Sequence, residues 1–182
     1  PNSVTTIGAS AFQKCFRFTG NLTLPNSVTT IGDNAFNGCS GFTNLKLSEK
    51  LSIIPMDAFS GCTNLSGELI IPASVKEIGR EAFYNCSGFT GNLTIPNSVT
   101  TIGESAFNGC YGFKGNLTLP NSITTIENNT FSGCSGFNGK LTIPNSVTYI
   151  GTSAFGGCYG FTGNLTIPNS ITIIGYSAFD GC

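Results

Sequence analysis

Cysteine recurs at 15, 39, 62, 86, 110, 134, 158 and 182. Thiols ligate metals, close disulfides or act as nucleophiles, so the spacing decides which chemistry is open. Zinc sites draw ligands from close pairs such as CxxC, usually with histidine. Here the step is 24 residues, once 23, and the chain has no His. Nucleophilic catalysis needs a base beside the nucleophile. The remaining bases are scattered carboxylates and lysines. Glu77 and Glu81 are close in sequence, but Lys76 and Arg80 beside them read as a solvated charge cluster on a surface turn. The expectation is no catalytic residue, no metal site and no cofactor. Stacked at a constant period, neighbouring cysteines would hold parallel side-chain vectors, whereas a disulfide needs converging Cβ atoms. Buried free thiols serving as small apolar filler fit the pattern better.

The cysteine step is the register of the whole chain. Counted from a recurrent proline, the units run over residues 1–24, 25–47, 48–71, 72–95, 96–119, 120–143 and 144–167, with a partial unit at 168–182. The expectation is one repeat array over 1–182, seven full copies and one partial, cut from a longer protein with sequence beyond both ends. Within a unit, Leu22 and Leu24, matched by Leu93 and Ile95 or Leu117 and Leu119, alternate with polar residues, which predicts a short strand with one buried face. Pro25 and its equivalents end that strand. Ile31, Ala35 and Cys39 lie four apart, as on one face of a helical turn. This predicts a brief extended segment over 28–31 followed by a turn of α- or 3₁₀-helix over 35–38. One unit cannot bury its apolar wedge alone, so units must stack into a solenoid.

Composition narrows the function. The chain has 182 residues, 24 Gly, 15 Phe, no Trp, only 9% charged residues and a net charge of -1. No basic footprint for nucleic acid is present. The apolar runs are too short for direct membrane insertion of this segment, and the opening Pro1-Asn2-Ser3-Val4 is unlike a secretory signal.

The pattern L-x-[LI]-P-x-S-[VI]-x-x-I-G-x-x-A-F-x-x-C-x-x-[FL], carried for example by Leu93, Ile95, Pro96, Ser98, Val99, Ile102, Gly103, Ala106, Phe107, Cys110 and Phe113, resembles the BspA-like leucine-rich repeat family along the entire chain. The resemblance implies a leucine-rich-repeat solenoid of about 24 residues per repeat, with a parallel β-sheet on its concave face and short extended segments and α/3₁₀ turns on the convex side. It also implies an extracellular or cell-surface location in host-associated bacteria or protist parasites, and a binding or adhesion role. The copy at 48–71 departs most: Ser48 replaces Pro, Leu51 replaces Val, Pro55 replaces Gly, and one residue is missing before it. Twelve of the seventeen charged residues fall between Lys14 and Glu81. This half reads either as a contact region or as an older, less recently duplicated set of repeats.

The outward strand positions form the candidate binding face. Lys46, Glu68, Ile70, Asn92, Thr94, Asn116, Thr118, Lys140 and Thr142 would make a polar ladder on the concave sheet, fit for a protein or glycan of a host or its matrix. Threonine also suits exposed strands for reasons of propensity alone. The alternative reading is a structural spacer or filament former that self-associates end to end. A second threonine array, Thr29 and Thr30 with Thr100 and Thr101 or Thr124 and Thr125, would match a lattice such as ice only in part, because Ser52, Ile53, Lys76, Glu77, Tyr149 and Ile173 interrupt it. Sequons such as Asn92-Leu93-Thr94 come with the repeated consensus.

Overall fold

The computed structural model describes residues 3–182. Eight coils, one per repeat unit, stack in parallel and are joined by three separate hydrogen-bonded ladders. The strands are short: β1 (Thr6–Ile7), β2 (Gly20–Thr23), β3 (Thr30–Ile31), β4 (Phe42–Lys46), β5 (Ile53–Ile54), β6 (Glu77–Ile78), β7 (Leu93–Thr94), β8 (Thr101–Ile102), β9 (Leu117–Thr118), β10 (Thr125–Ile126), β11 (Tyr149–Ile150) and β12 (Ile173–Ile174).

The first ladder follows the Thr-Ile positions. It pairs β1 with β3, then β5, β6 and β8, then β10, β11 and β12, all in parallel. Its two breaks have a common cause. In the regular coils a glycine follows the isoleucine and donates its N–H to the preceding coil, as Gly79 does to Ile54 and Gly103 to Ile78. The approach is so close that a Cβ on Gly103 would fall 2.5 Å from the Arg80 backbone nitrogen. The break before β5 coincides with Pro55, which has no N–H to give. The break before β10 coincides with Glu127, whose Cβ that contact has no room for.

The second ladder follows the Leu-Thr positions and is the more interrupted. It pairs β2 with β4 and β7 with β9, with isolated bridges at Gly67 to Phe89 and Gly115 to Phe137. Residues 69–71, 141–143 and 165–167, predicted as strands by their sequence, form no strand pairing. The longest strand, β4, lies where the unit is one residue short. The deletion removes a glycine that is left-handed in other coils, as Gly91 is at φ 81. The chain therefore stays extended through Lys46, with a register shift absorbing the missing residue.

The third ladder corrects the predicted helical turns. Among the described residues none is in an α- or 3₁₀-helix, and the segment after the Thr-Ile strand is a series of turns. Its N–H groups point alternately along the chain and across to the next coil. Ala35, Asn37 and Cys39 donate three residues back, to Gly32, Asn34 and Phe36, while Asn34, Phe36 and Gly38 donate to Met56, Ala58 and Ser60 of the following coil. A helix would turn every N–H back on itself. Two left-handed residues per coil enforce the alternation, Asn34 (φ 58) and Gly38 (φ 72) here, Ser105 (φ 56) and Gly109 (φ 75) further on. The four-residue spacing of Ile31, Ala35 and Cys39 does bury all three side chains. It does so through this turn ladder, which links every neighbouring pair of coils by three bonds.

The core is columnar. Phe12, Phe36, Phe59, Phe83, Phe107, Phe131, Phe155 and Phe179 stack nearly face to face, with centroids 5.2 to 5.6 Å apart. Each such contact adds about 0.5–1.5 kcal/mol to the burial itself. A second stack runs through Phe89, Phe113, Phe137 and Phe161, with Leu65 buried at the same position in the irregular coil. The two stacks meet edge to face, Phe83 with Phe89 at 6.1 Å and Phe155 with Phe161 at 6.3 Å, and a cysteine column accompanies them. All eight thiols are free; Cys39 to Cys158 are buried, Cys15 is half-buried and Cys182 exposed. Beyond filling space, each thiol from Cys39 onward donates to the phenylalanine carbonyl of the preceding coil, for example Cys110 Sγ to Phe83 O at 3.0 Å. Ser48, at the proline position of the irregular coil, is buried with its Oγ donating to Val28 O at 2.6 Å and accepting from Lys50 N–H at 3.2 Å.

Candidate binding face

Each of the nine predicted face residues is exposed: Lys46, Glu68, Ile70, Asn92, Thr94, Asn116, Thr118, Lys140 and Thr142. Alternation along the short strands accounts for it, because Leu45, Leu69, Leu93, Leu117 and Leu141 turn the opposite way, toward the core. Lys46 at the end of β4 lies in register with Thr23, and Thr94 in β7 with Thr118 in β9. Glu68 and Ile70 occupy the next coil outside any strand, with Ile70 67% exposed.

Part of the asparagine row braces the stack. Asn92 Oδ1 accepts the Asn116 backbone N–H at 2.8 Å, and Asn44 Nδ2 donates to Asn21 Oδ1 at 2.8 Å. Asn92 therefore keeps its Nδ2 for a ligand but spends its oxygen on the neighbouring coil.

Beyond β9 the strand pairing stops and the face opens into two adjoining hollows. The larger, about 390 Å³, is lined by Asn116, Thr118, Lys140 and Thr142 together with Asn121, Pro144 and the edges of Leu117 and Leu119. The smaller, about 180 Å³, shares Lys140 and Thr142 and is closed by Asn145, Thr166 and Pro168. Four of the nine residues thus converge on one concavity, with an ammonium group among hydroxyl and amide groups. Asn121 and Asn145 were not singled out from sequence. The signal was the Pro-Asn-Ser string itself, which places an asparagine just past each strand end.

The other threonine array and its neighbours are tied down in part. Thr100 Oγ1 donates to Lys76 O at 3.3 Å, Thr148 to Thr124 O at 3.2 Å and Thr172 to Thr148 O at 3.0 Å, so these hydroxyl protons brace successive coils. Arg80 and Glu81 form an ion pair of 2.7 Å. The nearby Asp57 carboxyl is raised above its ordinary value, first by burial and then by the Glu81 charge. Among the described residues no group of three or more His, Cys, Asp or Glu stands together as a metal-binding set, and no helix is long and apolar enough to cross a membrane.

The model of the BspA type leucine rich repeat region matches in six copies, over residues 1–111 and 66–182, which together span the chain. The chain belongs to the BspA-type leucine-rich-repeat family. Solved structures with a similar architecture include a leucine-rich repeat protein of T. pallidum, 31% identical over 87% of this chain and 72% of that one, with a TM-score of 0.78. One from Bacteroides ovatus is 34% identical over 94% of this chain and 49% of its own, with a TM-score of 0.77. A leucine rich cell surface protein of Faecalibacterium prausnitzii is 34% identical over 87% of this chain and 42% of its own, with a TM-score of 0.76. The chain thus spans less than half the length of the last two proteins. Comparison with curated proteins gives no significant match.

Proposed function

We propose that the chain is a non-catalytic recognition segment of a secreted or cell-surface protein, which engages a host or matrix protein or glycan through the Asn–Thr face. The observation that carries this reading is the convergence of Asn116, Thr118, Lys140 and Thr142 on one hollow of about 390 Å³. The turn ladder and the Thr-Ile ladder continue past this hollow and hold its coils in place, so binding is spared part of the entropy of arranging these groups. Similarity to a leucine rich cell surface protein of Faecalibacterium prausnitzii supports the location. The four converging side chains offer an ammonium, hydroxyls and an amide, which suits a hydrogen-bonding ligand.

The test is binding to immobilised extracellular-matrix proteins and to a glycan array, comparing the native chain with Lys140→Glu and with the charge exchange Lys46→Glu/Glu68→Lys. Both sites are solvent-exposed, so folding should survive. The expected result is loss of the native chain's best ligand on Lys140→Glu, with a smaller loss on the exchange. Unchanged affinity in both variants would move the site off this face.

A further inference from the structure

Coils five and seven carry tyrosine at the same repeat position, immediately after a buried cysteine: Tyr111 and Tyr159. Both rings stand in solvent, 60% and 73% exposed. They lie in turns, so strand propensity does not explain them, and Ser135 fills the position in the coil between. The floor beside them is glycine. A Cβ built on Gly133 would lie 3.6 Å from the Cα of Gly109, and one on Gly157 3.6 Å from the Cα of Gly133. Tyr159 leans toward coil eight, where a Cβ on Gly181 would fall 2.6 Å from its Cε1. Residues 107–112, 131–136 and 155–160, which build the corner, include no charged side chain.

We infer that Tyr111 and Tyr159 form a two-ring platform for a neutral β-1,4-linked polysaccharide laid along the solenoid axis. The stack fixes the spacing: Phe107 to Phe131 is 5.6 Å and Phe131 to Phe155 is 5.5 Å, so the two tyrosines sit on coils roughly 11 Å apart. In a β-1,4-linked chain every second pyranose presents the same face, and a two-coil step is the length of a disaccharide. The C–H face of a sugar ring carries slight positive charge and stacks on the negative face of an aromatic ring. Ser135 and Asn108, between and beside the rings, offer hydrogen bonds to the sugar hydroxyls. A nucleic acid would need cations that this corner lacks. A protein partner would need a contiguous desolvated apolar centre, whereas serine and glycine separate these rings.

The chain has five Tyr and no Trp, so tyrosine emission is unmasked by tryptophan, and its Tyr111 and Tyr159 share is the part lost in the alanine variants. Titration with cellohexaose or chitohexaose should change that emission saturably. Tyr111→Ala and Tyr159→Ala should each weaken binding roughly tenfold, the loss expected for one stacked ring. Tyr→Phe at either position should keep most of the affinity. Lys140→Glu, on the Asn–Thr face, should leave it unchanged, which separates this site from the one proposed above. Absence of a saturable change with both hexasaccharides, or equal binding by the double alanine variant with unaltered circular dichroism, would overturn the inference.

Discussion

The cysteine thiols and phenylalanine rings carry the stack from coil to coil, and their energetics can be read out singly. Cys62 and Cys158 are pushed up from the ordinary 9.0 to about 12, first by burial and then by a neighbouring cysteine. Cys86, Cys110 and Cys134 rise for the same reasons. The folded chain therefore keeps protons that the unfolded chain releases. The stability these thiols contribute is intact below pH 9 and is lost as pH climbs from 9 toward about 12. Urea midpoints measured across that window should fall steeply, and replacing Cys86, Cys110 and Cys134 together by Ala should flatten the fall while lowering stability at pH 7. In the aromatic column, Phe107→Ala removes a fully buried ring that stacks on both Phe83 and Phe131, and should cost about 3–5 kcal/mol in equilibrium unfolding.

The elements depend on whether each coil can approach its neighbour and donate to it. Replacing Glu127 by Gly should restore the donor geometry that Gly103 and Gly151 have and let β8 pair with β10. The amide of residue 127 should then become protected in hydrogen exchange, against a flexibility cost of about 0.5–1 kcal/mol for the new glycine. Conversely, Gly103→Ala places a methyl 2.5 Å from a backbone nitrogen and should destabilise by about 1–3 kcal/mol. The period, the buried columns and the exposed strand positions were legible in the sequence because each coil repeats the same side-chain alternation. The helical turn was misread because Ile31, Ala35 and Cys39 bury one face in a helix and in an alternating turn ladder alike. The discriminating signal was the column Asn34, Asp57, Ser105 and Asn129 paired with glycine four residues on, since short polar residues and glycine accept the left-handed region. The gaps in the Leu-Thr ladder had no signal in the binary pattern, which is the same in paired and unpaired coils.

Taken whole, the molecule is a column of coils whose surfaces are sorted by repeat position, and the proposed binding face follows from that sorting. The polar ladder of Lys46 to Thr142 was legible because exposure alternates along a strand. The hollow at Lys140 was not, because it arises where pairing ends beyond β9 and the coils leave a concavity that no single repeat encodes. The most direct test of the account compares two doubly substituted chains in the same binding assay: Thr118→Glu/Thr142→Glu on the Asn–Thr face, and Thr100→Glu/Thr124→Glu on the Thr-Ile ladder, all four positions being exposed. The account predicts that the first pair abolishes binding to the native chain's matrix or glycan ligand while the second leaves it within about threefold, a difference under 1 kcal/mol. Equal binding by the first variant and the native chain, or loss confined to the second, would contradict it.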